Sequence, residues 1–133
     1  MSFSEFTQKD YEVISRNYAD LKEAARKRCS GEQELAVVQK AFDFANEAHK
    51  NVRRRSGEPY ILHPIAVAKI VVNDIGLGYK SIAAALLHDV VEDTDYTVDD
   101  IRHMFGDKIA SLVDGLTKIK NVLDNEDKKS KDA

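Results

Sequence analysis

The run Leu86-Leu87-His88-Asp89-Val90-Val91-Glu92-Asp93 places one imidazole and three carboxylates within six positions. It follows directly on the apolar stretch Ile82-Ala83-Ala84-Ala85-Leu86-Leu87. Burying such groups without partners costs roughly several kcal/mol each, so the pattern points to a bound cation. Histidine nitrogen and aspartate oxygen, without cysteine, suit divalent first-row metals such as Mn, Fe, Zn or Co. On a helix, Glu92 stands at i+4 from His88 and i+3 from Asp89, and Asp93 at i+4 from Asp89. The carboxylates then line one helix face beside the His-Asp pair. His63, immediately before Pro64, is an upstream imidazole that could complete the set.

Each of these residues also has a plainer reading. A His-Asp pair can simply finish a helix with hydrogen bonds, and the spacing alone leaves both readings open. His63 alone could be no more than a helix-entry residue. His49 falls on an apolar helix face and reads as a satisfied core histidine. His103, among Asp99, Asp100 and Arg102, reads as solvated, and Arg53-Arg54-Arg55 taken by itself reads as a solvated basic loop.

The elements that must position the cluster are helices. Tyr11, Ile14, Tyr18, Leu21 and Ala25 recur at helical spacing, with Thr7 or Asp10 as the cap. Ser30 and Gln33 have the spacing of a capping box and open a second helix with Leu35, Val38, Phe42, Ala45 and His49 on one face. Residues 53–59 break that helix as a loop. Pro64 suits the first turn of a third helix, carrying Ile65, Ala68, Ile70 and Val72, which Asp74-Ile75-Gly76-Leu77-Gly78 ends. A fourth helix is predicted from about Tyr79 to Val91. Thr97 with Asp100 caps a fifth, through Ile101, Met104 and Phe105, and Ile109, Leu112, Val113 and Leu116 form a last periodic stretch. No strand period or hairpin signal stands out. The expectation is an all-α bundle of five or six short helices over residues 1–120. Residues 121–133 lack large apolar side chains after Leu123 and read as a charged tail, either disordered or the start of a further element.

Composition narrows the classes. The 133 residues suffice for one domain and one core. With 32% charged and 43% hydrophobic residues and a net charge of −3, the chain reads as soluble and has no global bias toward nucleic acid or a membrane surface. Cys29 is the single cysteine, which excludes an internal disulfide and a cysteine-based zinc site and fits a reducing cytoplasm. No signal peptide and no apolar run of membrane-spanning length stands out.

His63 with His88-Asp89 resembles the HD-domain metal-dependent phosphohydrolases. Residues Arg54-Arg55-Ser56-Gly57-Glu58-Pro59-Tyr60-Ile61-Leu62-His63-Pro64 resemble the entry loop of the Rel/Spo-type alarmone enzymes of the stringent response. Leu86 to Thr94 resemble their hydrolase motif, and Phe105-Gly106 and Val113 to Lys118 continue the likeness. The resemblance implies an HD-type helical bundle that removes the 3′-pyrophosphate of guanosine tetra- and pentaphosphate, giving GDP or GTP and pyrophosphate, with Mn²⁺ as the usual metal. It implies His63, His88 and Asp89 as metal ligands. It assigns Glu92 and Asp93 to the attacking water, and Arg54, Arg55 and Ser56 to the nucleotide, one arginine stacking on guanine. Glu92-Asp93 is the pair that degenerate members lose, so its presence argues for the active type. The resemblance also implies a further aspartate ligand in a run like Leu-Ala-Asp-Arg-x-His-Asn, which nothing here matches. The chain is therefore expected to be the N-terminal part of a longer hydrolase or synthetase-hydrolase. Its three donors alone are expected to hold metal weakly and to leave the piece inactive. Two alternatives stand beside this: an HD phosphohydrolase of another nucleotide, and a non-catalytic nucleotide-binding or regulatory module.

Overall fold

The structure, a computed structural model, describes the backbone of residues 1–132 and side chains through residue 119. The charged segment 121–133, read above as a tail, thus lies outside the residues described in full.

The chain begins with a short strand β1 (Ser2–Phe3), followed by helices α1 (Gln8–Arg26) and α2 (Glu32–Ala48) and a second short strand β2 (Val52–Arg53). Helix α3 (Leu62–Ile70) runs into a π-helical turn (Val71–Ile75), and α4 (Tyr79–Asp93), α5 (Val98–Phe105) and α6 (Asp107–Asp132) complete the order. The all-α expectation holds. The two strands it lacked are two residues each, antiparallel, pairing Ser2 with Arg53 and Phe3 with Val52. Strands that short leave no periodicity to read.

Helix α4 is the centre of the bundle, with α2, α3 and α6 packed around it. Ile82, Ala83, Ala84, Ala85, Leu86, Leu87 and Val90 are all buried, so this helix is apolar nearly all round, as a core helix must be. The three consecutive alanines let neighbouring helices approach closely. Against this core α1 presents Ile14, Tyr18, Leu21 and Ala25, and the Tyr18 ring stacks on Phe42 of α2 at 3.8 Å between centroids. Tyr11, assigned to the same face, is 40% exposed and instead meets Phe6 edge-on at 5.8 Å.

Two of the anticipated caps form. Thr7 and Asp10 exchange hydrogen bonds as a complete capping box on α1, and Thr97 and Asp100 do the same on α5. The Ser30–Gln33 box does not form. Gly31 is the N-cap of α2, one residue later than expected, and the Ser30 N–H donates to Glu34 Oε1 at 3.0 Å. A carboxylate four residues on reaches that amide and also favours the positive end of the helix. The third helix ends in the π turn, closed by the Gly76 N–H donating to the Val71 carbonyl. Gly76 has φ 79°, a left-handed conformation that favours glycine there.

Candidate metal centre

His63 and the His88-Asp89 pair are 25 positions apart in sequence and meet where α3 begins and α4 ends. His63 lies in the first turn of α3, held by its N–H donating to the Tyr60 carbonyl at 2.9 Å. Pro64 follows it, where a missing N–H costs no helical hydrogen bond. Asp89 is fully buried and His88 is 12% exposed, while His63 remains 36% exposed, so the group opens to solvent on the His63 side.

The donor atoms lie within 4.8 Å of one another. His88 Nε2 is 3.2 Å from Asp89 Oδ1, and His63 Nε2 is 3.7 Å from Asp89 Oδ2. Metal–ligand bonds of about 2.0–2.2 Å put neighbouring donors of one ion at separations of this size. His88 adds a specific indication. Its Nδ1 is 2.6 Å from the Ala85 carbonyl, which can only accept, so Nδ1 carries the hydrogen. Nε2 then faces a carboxylate oxygen at 3.2 Å, a gap that either a shared proton or a bound cation would bridge. The backbone contact also fixes ring orientation, as partners of ligating histidines commonly do. The donor set thus fits a divalent first-row cation.

Glu92 and Asp93 occupy the last turn of α4, Glu92 half-buried and Asp93 exposed, about one turn beyond the His88-Asp89 pair. Tyr60, in the loop before α3, connects these groups. Its ring lies 5.9 Å from His63. Burial, and then the charges of Asp89 and Asp93, push its pKa well above the ordinary tyrosine value, so it stays a donor at neutral pH. His49 stands behind Tyr60, with ring centroids 5.0 Å apart. It is buried, as expected of a core histidine, but its Nε2 has no hydrogen-bond partner. Burial depresses its pKa against the opposing pull of Asp93 and Asp89, so the ring is neutral.

Arg54, Arg55 and Ser56 line an open cleft of about 460 Å³ together with Met1 and Tyr60. Tyr60 is thereby shared between cleft and donor cluster. The three arginines divide. Arg54 is half exposed, 3.8 Å from Glu58. Arg53 is only 14% exposed and is tied into the fold, with Nη2 2.7 Å from Asp10 Oδ2. Sequence reading missed Tyr60, His49 and Arg53 as parts of this region. Only Tyr60 left a signal, three residues before His63 in the entry loop.

The helical bundle brings His63, His88 and Asp89 together, and Tyr60, close to His63, also lines the basic cleft. A family profile described as HD domain matches residues 41–133, and the chain belongs to that family. It is similar to the guanosine-3′,5′-bis(diphosphate) 3′-pyrophosphohydrolase of Aquifex aeolicus, 46% identical over 87 residues, covering 65% of this chain and 12% of that protein. It is 44% identical over 88 residues to the bifunctional (p)ppGpp synthase/hydrolase SpoT of Escherichia coli, covering 66% and 12%. It is 43% identical over 88 residues to the GTP pyrophosphokinase of Streptomyces coelicolor, covering 66% and 10%. The chain matches about a tenth of the length of these curated relatives. Among the described residues no helix is long and apolar enough to cross a membrane.

Proposed function

We propose that this chain carries the metal-binding and nucleotide-entry part of a cytoplasmic hydrolase that removes the 3′-pyrophosphate of guanosine tetra- and pentaphosphate. The reading is carried by the convergence of His63, His88 and Asp89 within 4.8 Å beside a cleft lined by Arg54, Arg55 and Ser56. His63, His88 and Asp89 would hold a divalent cation, Mn²⁺ first among candidates, which supplies positive charge at the scissile phosphate and acidifies a water. Glu92 and Asp93, one helical turn beyond the ligands, take and hold the proton of that water. The guanidinium groups of Arg54 and Arg55 suit phosphate oxygens and the face of a purine, and the Ser56 hydroxyl adds a hydrogen bond. A parent protein with a synthetase domain belongs to the same reading.

The test is Mn²⁺ titration followed by electron paramagnetic resonance, and pyrophosphate release in a chain that continues into an aspartate-bearing helix. His88→Ala is expected to abolish both metal binding and release. Glu92→Gln is expected to keep the metal and lose about 10²–10⁴-fold in rate. Nucleotide binding with no pyrophosphate release at saturating Mn²⁺ would favour a non-catalytic nucleotide-binding module instead.

A further inference from the structure

Residues 1–40 lie outside the span matched by the HD profile, yet the first ten reach the entry loop and bind it. Besides the β1–β2 pairing, the Ser4 N–H donates to the Asn51 carbonyl and the Phe6 N–H to Asn51 Oδ1, both at 2.9 Å. Asn51 adopts φ 64°, a left-handed conformation that asparagine tolerates, and this turns its side chain and carbonyl toward the N-terminal segment. Arg53 is the junction. Its guanidinium donates to the Glu5 carbonyl at 2.8 Å, to Asp10 Oδ2 at 2.7 Å and to the Gly57 carbonyl at 2.9 Å, and lies 5.2 Å from the Phe6 ring centre. One planar side chain thus joins the N-terminal segment, the first turn of α1 and the far end of the entry loop. The loop itself is closed by the Gly57 N–H donating to the Arg54 carbonyl at 2.8 Å and the Arg54 N–H to the Glu58 carbonyl at 2.9 Å.

We propose that residues 1–10 form a strap that holds the Arg54-Arg55-Ser56 loop in its nucleotide-binding shape through Arg53. Arg53 is a positioning residue and not a phosphate ligand. This rests on the nucleotide reading of the cleft given above. Arg53 cannot reach for phosphate without surrendering contacts to Glu5, Asp10 and Gly57, and a planar fork spends its donors best where acceptors are fixed. A loop already ordered before binding loses less freedom when a nucleotide arrives, and so binds it more tightly.

Asp10→Asn separates this from plain electrostatics. Removing a negative charge near a basic cleft would by charge alone strengthen binding of a polyanionic nucleotide. The strap requires the opposite sign, a weakening of about tenfold. The measurements are amide hydrogen exchange at Arg54 and Gly57, equilibrium binding of guanosine tetraphosphate, and Mn²⁺ affinity, all on the full chain. Faster exchange with weaker nucleotide binding and unchanged Mn²⁺ affinity is expected. Thr7→Ala, which breaks the α1 cap but leaves the Arg53–Asp10 pair, is expected to leave nucleotide affinity near the parent value. Unchanged exchange in Asp10→Asn overturns the strap. Faster exchange with unchanged or tighter nucleotide binding overturns the positioning role. A wild-type chain that binds no nucleotide at all removes the functional reading and the positioning role with it, while the exchange difference still reports whether the strap exists.

Discussion

Tyr60 shows how one side chain ties three pieces of the site together. Its ring lies 5.9 Å from His63 and 5.0 Å from His49, it lines the basic cleft, and the charges of Asp89 and Asp93 raise its pKa. Tyr60→Phe keeps the ring and deletes the donor. If the hydroxyl helps to orient the carboxylates once a metal is bound, Mn²⁺ affinity should fall about 10–100-fold. An electron paramagnetic resonance titration checks this, and unchanged affinity would remove the orienting role. That His63 comes together with His88 and Asp89 was expected from the resemblance to the HD-domain enzymes, whereas the spacing by itself left a plain helix end equally open. Tyr60, His49 and Arg53 were not legible. Their parts depend on which atoms meet across α2, α4 and the N-terminal segment, and no spacing along the chain encodes that. Arg53 illustrates this best. In sequence it is one of three equal arginines, and only the fold shows that its guanidinium is consumed by contacts to Glu5, Asp10 and Gly57.

At the scale of elements, the legible features were the local ones. Helical periods and the Thr-x-x-Asp boxes at Thr7 and Thr97 fix their own geometry within four residues, and both boxes form. The Ser30 box failed because Glu34 competes for the same amide, and the π turn after Ile70 reflects a bend no period announces. Asp10 serves two elements at once. Its Oδ2 accepts from the Thr7 N–H at 2.8 Å to cap α1 and from Arg53 at 2.7 Å to hold the strap. The Arg53 hydrogen bond, then that of the Thr7 backbone, holds its carboxyl at about 2, against an ordinary 3.8. A depressed folded-state pKa means the stabilisation is complete above the unfolded value and lost as pH falls through the folded one. The strap is therefore expected to stay closed above about pH 4 and to release as pH approaches 2. Amide exchange at Arg54 and Gly57 measured against pH tests this, and in Asp10→Asn that pH dependence should be gone.

For the molecule as a whole, a metal held by these three residues would couple its binding to global stability. His63 belongs to α3, His88 and Asp89 to α4, and the contact between those helices is part of the central core. The set exists only when that core is assembled, so a metal that binds it binds the folded state and not the unfolded one. At a free Mn²⁺ concentration one hundred times Kd, folding should gain about 2.7 kcal/mol, or roughly 10 °C in Tm for a domain of this size. His88→Ala should unfold near the metal-free temperature whether or not Mn²⁺ is present. Mg²⁺ should give a smaller shift, because two of the three donors are imidazole nitrogens and Mg²⁺ prefers oxygen. Leu86→Ala provides the control. Leu86 is fully buried in α4, and its truncation should cost about 2–5 kcal/mol without touching a donor, so Tm falls while the Mn²⁺ increment remains. An equal Mn²⁺ increment in His88→Ala would place the metal elsewhere on the protein. Loss of the increment in Leu86→Ala would show that the core sets the donor geometry as well as holding the fold together.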